Sequence, residues 1–136
     1  MPTLQLEIVT PEKKAYSAEV DSVVLPGVAG EIGIFPNHIA IMTAIKPGEL
    51  RISVSGKEES LAVGEGFVEV ANNKVSVLTD AAINVEDIDE GHVEEAIKRA
   101  QEALEKAKND PEESSALHAS LARATAQLHL KRKRRG

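Results

Sequence analysis

Gly66-Phe67-Val68-Glu69-Val70-Ala71-Asn72-Asn73-Lys74-Val75-Ser76-Val77-Leu78 is the stretch that decides the fold of the N-terminal part of this chain. Two β-rich runs, Phe67–Ala71 and Lys74–Leu78, flank an Asn-Asn pair, and asparagine tolerates the left-handed backbone that a tight hairpin turn requires. Working outward, Ser55-Gly56-Lys57 separates Leu50–Val54 from Leu61–Val63 in the same way. Leu4, Leu6 and Ile8 alternate with polar neighbours before Pro11, the pattern of a half-buried strand. Further β-rich runs lie at Val20–Leu25, Glu31–Phe35, Ala40–Ile45 and Glu49–Val54. Many short strands with no helical stretch between them predict an antiparallel β-sandwich or barrel rather than a βαβ sheet.

The pattern changes after residue 86. Seven of the nine glycines and five of the six prolines lie at or before Gly66, so punctuation nearly vanishes where a longer period begins. Val93, Ile97, Ala100, Leu104 and Ala107 form the stripe of an amphipathic helix, and Leu117, Leu121, Ala124 and Leu128 form a second. Between them, Asp110 suits an N-cap, Pro111 the first helical position, and Glu113 the carboxylate of a capping box. The fold class read from the residues is therefore α+β. Residues 1–86 make a β-sandwich head, and residues 87–136 an antiparallel two-helix hairpin. The hairpin's apolar face is narrow and alanine-rich, so it is expected to need a surface to dock on.

Composition narrows the function classes. Aromatic residues are only 2% of the chain (Tyr16, Phe35 and Phe67), so the core must be aliphatic and a base-stacking surface is not expected. The absence of cysteine removes disulfides, thiolate metal sites and Cys nucleophiles. No apolar run reaches membrane-spanning length and the first residues do not read as a signal peptide, so any membrane association is expected to come through partners. The net charge of −6 is unevenly laid out. Residues 1–86 carry 12 acidic and 6 basic side chains, residues 87–113 carry 10 and 4, and residues 114–136 carry none and 6. The C-terminal end is a cationic tip on an acidic molecule.

Catalytic chemistry is hard to find. Gly27, Gly30 and Gly33 recur every three residues, but no Lys-Ser or Lys-Thr follows, so they read as turn glycines rather than a phosphate loop. His38, His92, His118 and His129 form no ligand-spaced pair, and no serine sits in a nucleophile elbow, so neither a metal site nor a catalytic residue is expected. The run Lys131-Arg132-Lys133-Arg134-Arg135 reads as a solvated tail, a nucleic-acid contact or a dock for an acidic protein surface. The acidic total and the lack of a recognition motif disfavour nucleic acid. A free nucleotide-sensing or nucleic-acid-binding module and a sandwich-fold enzyme are the rival classes.

Leu25–Ile52, LPGVAGEIGIFPNHIAIMTAIKPGELRI, closely resembles the signature of the epsilon subunits of bacterial F-type ATP synthases, as do the opening Leu-Glu-Ile-Val-Thr-Pro-Glu and the Gly-Phe-Val-Glu-Val run. The resemblance spans the chain, because that family joins a β-sandwich to two C-terminal helices in this order. It implies a non-catalytic subunit of the rotating central stalk that couples ion flow to ATP synthesis, peripheral on the cytoplasmic face of the bacterial plasma membrane. The implied partners are the gamma subunit and the c-ring, with Glu31 and His38 as contact residues; the plainer reading makes Gly30, Gly33 and Pro36 mere turn residues. The hairpin would extend to the catalytic alpha and beta subunits and oppose ATP hydrolysis. There Arg123, Lys131, Arg132, Lys133, Arg134 and Arg135 would meet an acidic loop.

No cofactor is implied as required, although some members bind ATP as a regulatory ligand through Ile/Leu-Asp-x-x-Arg-Ala. Ile88 and Asp89 match that motif, whereas His92 stands for the arginine and Val93 for the alanine. Asp89, Arg99 and Arg123 are the remaining nucleotide-site candidates, and losing a permanently charged bidentate donor at position 92 weakens phosphate binding. The alternative for Asp89 is a helix-start residue at the positive end of the dipole.

Overall fold

A computed structural model describes residues 2–135 of the chain, with side chains described through residue 133. Among the described residues ten strands precede two helices: β1 (Leu4–Val9), β2 (Lys14–Val20), β3 (Ser22–Gly27), β4 (Gly30–Ile34), β5 (Ile41–Ile45), β6 (Gly48–Val54), β7 (Lys57–Val63), β8 (Gly66–Ala71), β9 (Lys74–Thr79), β10 (Ala82–Asn84), α1 (Glu90–Lys106) and α2 (Pro111–Arg135). The strands run in the order β10-β7-β6-β3-β5-β8-β9-β1-β2, with β4 paired to β3. The two expected hairpins close through two-residue turns. Ser55 and Gly56 have φ of 51° and 80°, and Asn72 and Asn73 have φ of 51° and 59°. Positive φ at both central residues matches the twist of the flanking strands, which is why Asn and Gly occupy them.

The sandwich is mostly antiparallel, but β1 pairs with β9 in parallel, Leu6 opposite Val75 and Ile8 opposite Val77. A parallel pair needs a long crossover, and seven intervening strands supply it. The Val20–Leu25 run is two strands rather than one. It breaks at Asp21, whose N–H donates to the Ser53 carbonyl (2.8 Å) and whose carboxylate accepts from the Ser55 N–H (2.8 Å). β2 itself carried little signal, because this edge strand fully buries only Val20.

Sandwich closure rests on β3, which leaves β6 after Val24 and meets β5 at Gly27 opposite Ile45. Proline has no N–H, so at the crossover Pro26 contributes only its carbonyl, accepting from Lys46 at 2.9 Å. The core is aliphatic throughout: Leu4, Leu6, Ile8, Val23, Leu25, Ile34, Leu50, Ile52, Val68, Val70, Val75 and Val77 are sealed inside. Both phenylalanines lie outside it.

Each helix begins on an aspartate. The Asp89 carboxylate accepts from the His92 N–H at 3.1 Å. That of Asp110 accepts from the N–H groups of Glu112 (3.1 Å) and Glu113 (3.2 Å). The reciprocal half of a capping box does not form at Asp110, because its own N–H donates to the Ala107 carbonyl. The hairpin lies folded against the sandwich. Ala124 and Leu130 of α2, with Val93 of α1, join Ala62, Val85 and Ile88 in a second apolar cluster flanked by Ile97 and Leu128. The stripe read from sequence ended at Leu128, yet Leu130 is the more deeply buried. α2 meets α1 on one side and β6 and β7 on another, so no single stripe describes its contacts.

Candidate functional site

The cationic tip is drawn onto the molecule by its own acidic residues. Lys131 Nζ donates to the Glu86 carbonyl at 2.9 Å. The Arg132 guanidinium lies 2.6 Å from Glu94 and 3.4 Å from Glu90, both on α1. Lys133 Nζ is 3.6 Å from Glu49 on β6. Three turns earlier on α2, Arg123 is 3.4 Å from Asp80 and donates to the Ser120 hydroxyl at 3.3 Å. Asp80 can stand there because Gly64 beneath it has no side chain: a Cβ at that position would collide with the Asp80 carboxylate. The side chains of Arg134 and Arg135, also assigned to the tip, lie outside the described residues.

Sequence-assigned nucleotide residues only partly converge. A groove of about 440 Å³ between α1 and α2 is lined by His92, Arg99 and Arg123, with Ala96, Ala100 and Ala124 making its floor thin. Asp89 does not line it; its carboxylate is engaged as the cap of α1.

Glu31 and His38 sit on different elements with no bond between them. Glu31, on β4, accepts from Arg51 at 2.9 Å, and Arg51 also reaches Glu49 at 3.4 Å. The Glu31 hydrogen bond, reinforced by charge from both carboxylates, raises the Arg51 pKa above its already high value despite partial burial. The Glu49 carboxylate thus has Arg51 on one side and Lys133 on the other. His38 lies in the loop after β4, where its Nδ1 is 2.7 Å from the Ile39 carbonyl. That loop is pinned by Asn73, whose side-chain oxygen accepts from the Asn37 N–H at 2.8 Å.

An apolar surface was missed in reading the polar candidates. Ile39 is 77% exposed and Met42 70%, and Val28, Phe35, Phe67 and Leu78 are open as well. Register places Phe67 opposite Ala44 on one side and Leu78 on the other, so these residues share the outer face of β5, β8 and β9 with Met42. The signal was available in the strand parity: Val68, Val70, Val75 and Val77 point inward, which sends Phe67 and Leu78 outward. Large apolar side chains gathered on an outer face mark an interaction surface.

A sandwich with an open apolar face, and a helical hairpin held on it by a thin apolar seam and surface ion pairs, defines an interaction module. Comparison with known proteins gives it a family. Residues 3–85 match the ATP synthase, Delta/Epsilon chain, beta-sandwich domain, and residues 86–131 match the ATP synthase, Delta/Epsilon chain, long alpha-helix domain. The chain is 43% identical over 130 residues to the ATP synthase epsilon chain of Laribacter hongkongensis, covering 94% of this chain and 92% of that one. It is 44% identical, with the same coverage, to the ATP synthase epsilon chain of Chromobacterium violaceum. A chain of the Euglena gracilis mitochondrial ATP synthase OSCP/F1/c-ring structure shares the fold at a TM-score of 0.74 and 19% identity, covering 93% of this chain and 79% of that one. The chain belongs to the ATP synthase delta/epsilon chain family. Its epsilon-chain relatives are non-catalytic subunits of that complex.

Proposed function

We propose that the chain is a rotor subunit of the central stalk of an F-type ATP synthase, coupling ion translocation to ATP synthesis, and that its hairpin restrains ATP hydrolysis. The observation that carries this reading is similarity to epsilon chains from end to end, across sandwich and hairpin alike. The sandwich meets the gamma subunit and the c-ring, the apolar face of Met42, Phe67 and Leu78 supplying buried area and Glu31 and His38 supplying polar contacts. Its place is peripheral, on the cytoplasmic face of the bacterial plasma membrane, held by the complex. Among the described residues no helix is long and apolar enough to cross a membrane.

Released from the sandwich, α2 carries Arg123 and the basic tip to an acidic surface of the catalytic alpha and beta subunits. Contacts of that kind weaken with salt. No cofactor is required. ATP is a weak regulatory ligand of the groove between the helices, where Arg99 and Arg123 face the phosphates and His92 replaces a stronger donor. His92→Arg is expected to tighten ATP binding in calorimetry, and absence of heat for both forms at millimolar ATP removes the groove from the account.

The deciding experiment measures ATP hydrolysis by an epsilon-depleted α3β3γ complex, given either the full chain or a version ending at Glu86. Binding by both, with inhibition by the full chain alone, is the expected result. Failure of both to bind refutes the subunit assignment; binding of both without inhibition refutes the brake. Charge reversal of the tip should relieve inhibition, and unchanged inhibition with unchanged salt dependence would refute its role.

A further inference from the structure

The geometry points to a second use for the cationic tip: it is an electrostatic latch that holds the hairpin in its docked position, closed by carboxylates and one main-chain carbonyl of this same chain. The partners are drawn from four separate parts of the fold. Asp80 lies between β9 and β10, the Glu86 carbonyl lies in the short turn Val85–Asp87, Glu90 and Glu94 lie on α1, and Glu49 lies on β6. Each cation of α2 with a described side chain, Arg123, Lys131, Arg132 and Lys133, reaches at least one of them. A solvated tail would have no reason to satisfy every one. The apolar seam beside them is slight, since among the described side chains of α2 only Ala124 and Leu130 are buried.

Individually such pairs are weak. Arg132 and Lys133 are more than half exposed, and a solvent-exposed pair contributes little. Their layout compensates, because the pairs span both contacts of α2. Arg132 ties it to α1, while Lys133 and Arg123 tie it to the sandwich. Undocking must break the sandwich-facing pairs together, and so responds steeply to ionic strength.

The consequence reaches the proposed function. The charges that would engage an acidic partner are occupied while the hairpin is docked, so docking and engagement exclude each other without any additional switch. That consequence rests on the rotor reading; the latch itself does not.

The test uses the isolated full-length chain. Because the chain has no cysteine, Lys57→Cys and Ser115→Cys place a single fluorophore pair across the sandwich and α2. Lys133→Glu sets like charges against each other at Glu49, and Arg123→Glu does the same at Asp80. Each should lower the docked-to-undocked ratio about fivefold at low salt, and the swapped pair Arg123→Glu with Asp80→Lys should restore most of what Arg123→Glu loses. The parent chain should undock progressively as sodium chloride approaches about 1 M, where screening is nearly complete. Circular dichroism at β-sheet wavelengths keeps loss of the sandwich distinct from undocking, and Asp80→Asn, outside the strands, provides a milder second break. Transfer efficiency unmoved by salt, single reversals and Asp80→Asn overturns the latch, as does a double swap no better than its single parts. Neither outcome touches assembly with α3β3γ, which is decided separately.

Discussion

Truncating Leu130 to alanine should free the hairpin without unfolding the sandwich. Leu130 is 6% exposed and lies in the cluster formed with Ala62, Val85, Ile88, Val93 and Ala124. Leu130→Ala removes three carbon atoms from that seam, each worth about 0.8 kcal/mol of transfer free energy, so about 2.4 kcal/mol in all. Little is added for a cavity, because α2 is a surface helix free to settle into the gap. At about 1.4 kcal/mol per factor of ten, the docked-to-undocked ratio falls on the order of fiftyfold.

Native-state hydrogen exchange read by peptide is the appropriate assay, since local opening is reported segment by segment. Peptides from α2 and the adjoining part of α1 should exchange on the order of fifty times faster in Leu130→Ala. Peptides from β8 and β9, whose core valines belong to the other cluster, should keep their rates. Val77→Ala in the sandwich supplies the contrast: it should accelerate exchange everywhere. If Leu130→Ala speeds β8 and β9 as much as α2, the two clusters are one cooperative unit and the reasoning fails. If α2 does not respond, the apolar seam is not what holds it.

Three further outcomes follow from local geometry. Asn73→Ala loses a turn residue at φ 59°, the 2.8 Å donation to the Thr3 carbonyl and the acceptor of the Asn37 N–H; it should cost about 2–3 kcal/mol, visible as a lower denaturant midpoint, and an unchanged midpoint contradicts it. Asp110→Ala strips the cap from α2 and should cost about 1 kcal/mol of hairpin stability, read as faster exchange confined to the first turn and the interhelical link. Burial first, and Glu59 second, hold the Tyr16 phenol above its ordinary 10.0, so this contribution is full below pH 10 and is lost as pH rises through the raised value. Tyr16→Phe should therefore flatten the alkaline fall in stability; an identical slope in both proteins contradicts it.

What was legible in the sequence was local. Asn72-Asn73 and Ser55-Gly56 announced their hairpins because positive φ is a property of the turn residues themselves. Asp110 and Pro111 marked a helix start for the same reason. The parallel pairing of β1 with β9 could not be read, since nothing in Leu4–Val9 specifies which distant strand lies beside it. β2 hid because an edge strand with one buried residue shows little alternation. Among the site residues, Arg99 and Arg123 were singled out and do share a groove, because an antiparallel hairpin brings them across from each other. Asp89 was singled out with them, but its capping bond turns it toward the helix start. The apolar face leaves no trace in the pattern of titratable groups, because Met42, Phe67 and Leu78 carry none, and it emerges only from strand parity.

The charge layout acquires a different meaning once partners are known. An acidic head, an acidic first helix and a basic end look, in sequence, like a molecule with a tail for someone else. In the fold the basic end answers acidic groups on the sandwich and on α1, so the asymmetry is first of all internal complementarity. Alanine explains why charge is needed there. Ala100, Ala107 and Ala124 occupy buried positions in the hairpin, and side chains that small let helices approach closely while removing little apolar surface from water. A leucine-rich seam would fix α2 in place whatever the salt. A seam that relies on Leu130 and a few exposed ion pairs leaves the docked state open to competition by any surface offering the same carboxylates in a better arrangement.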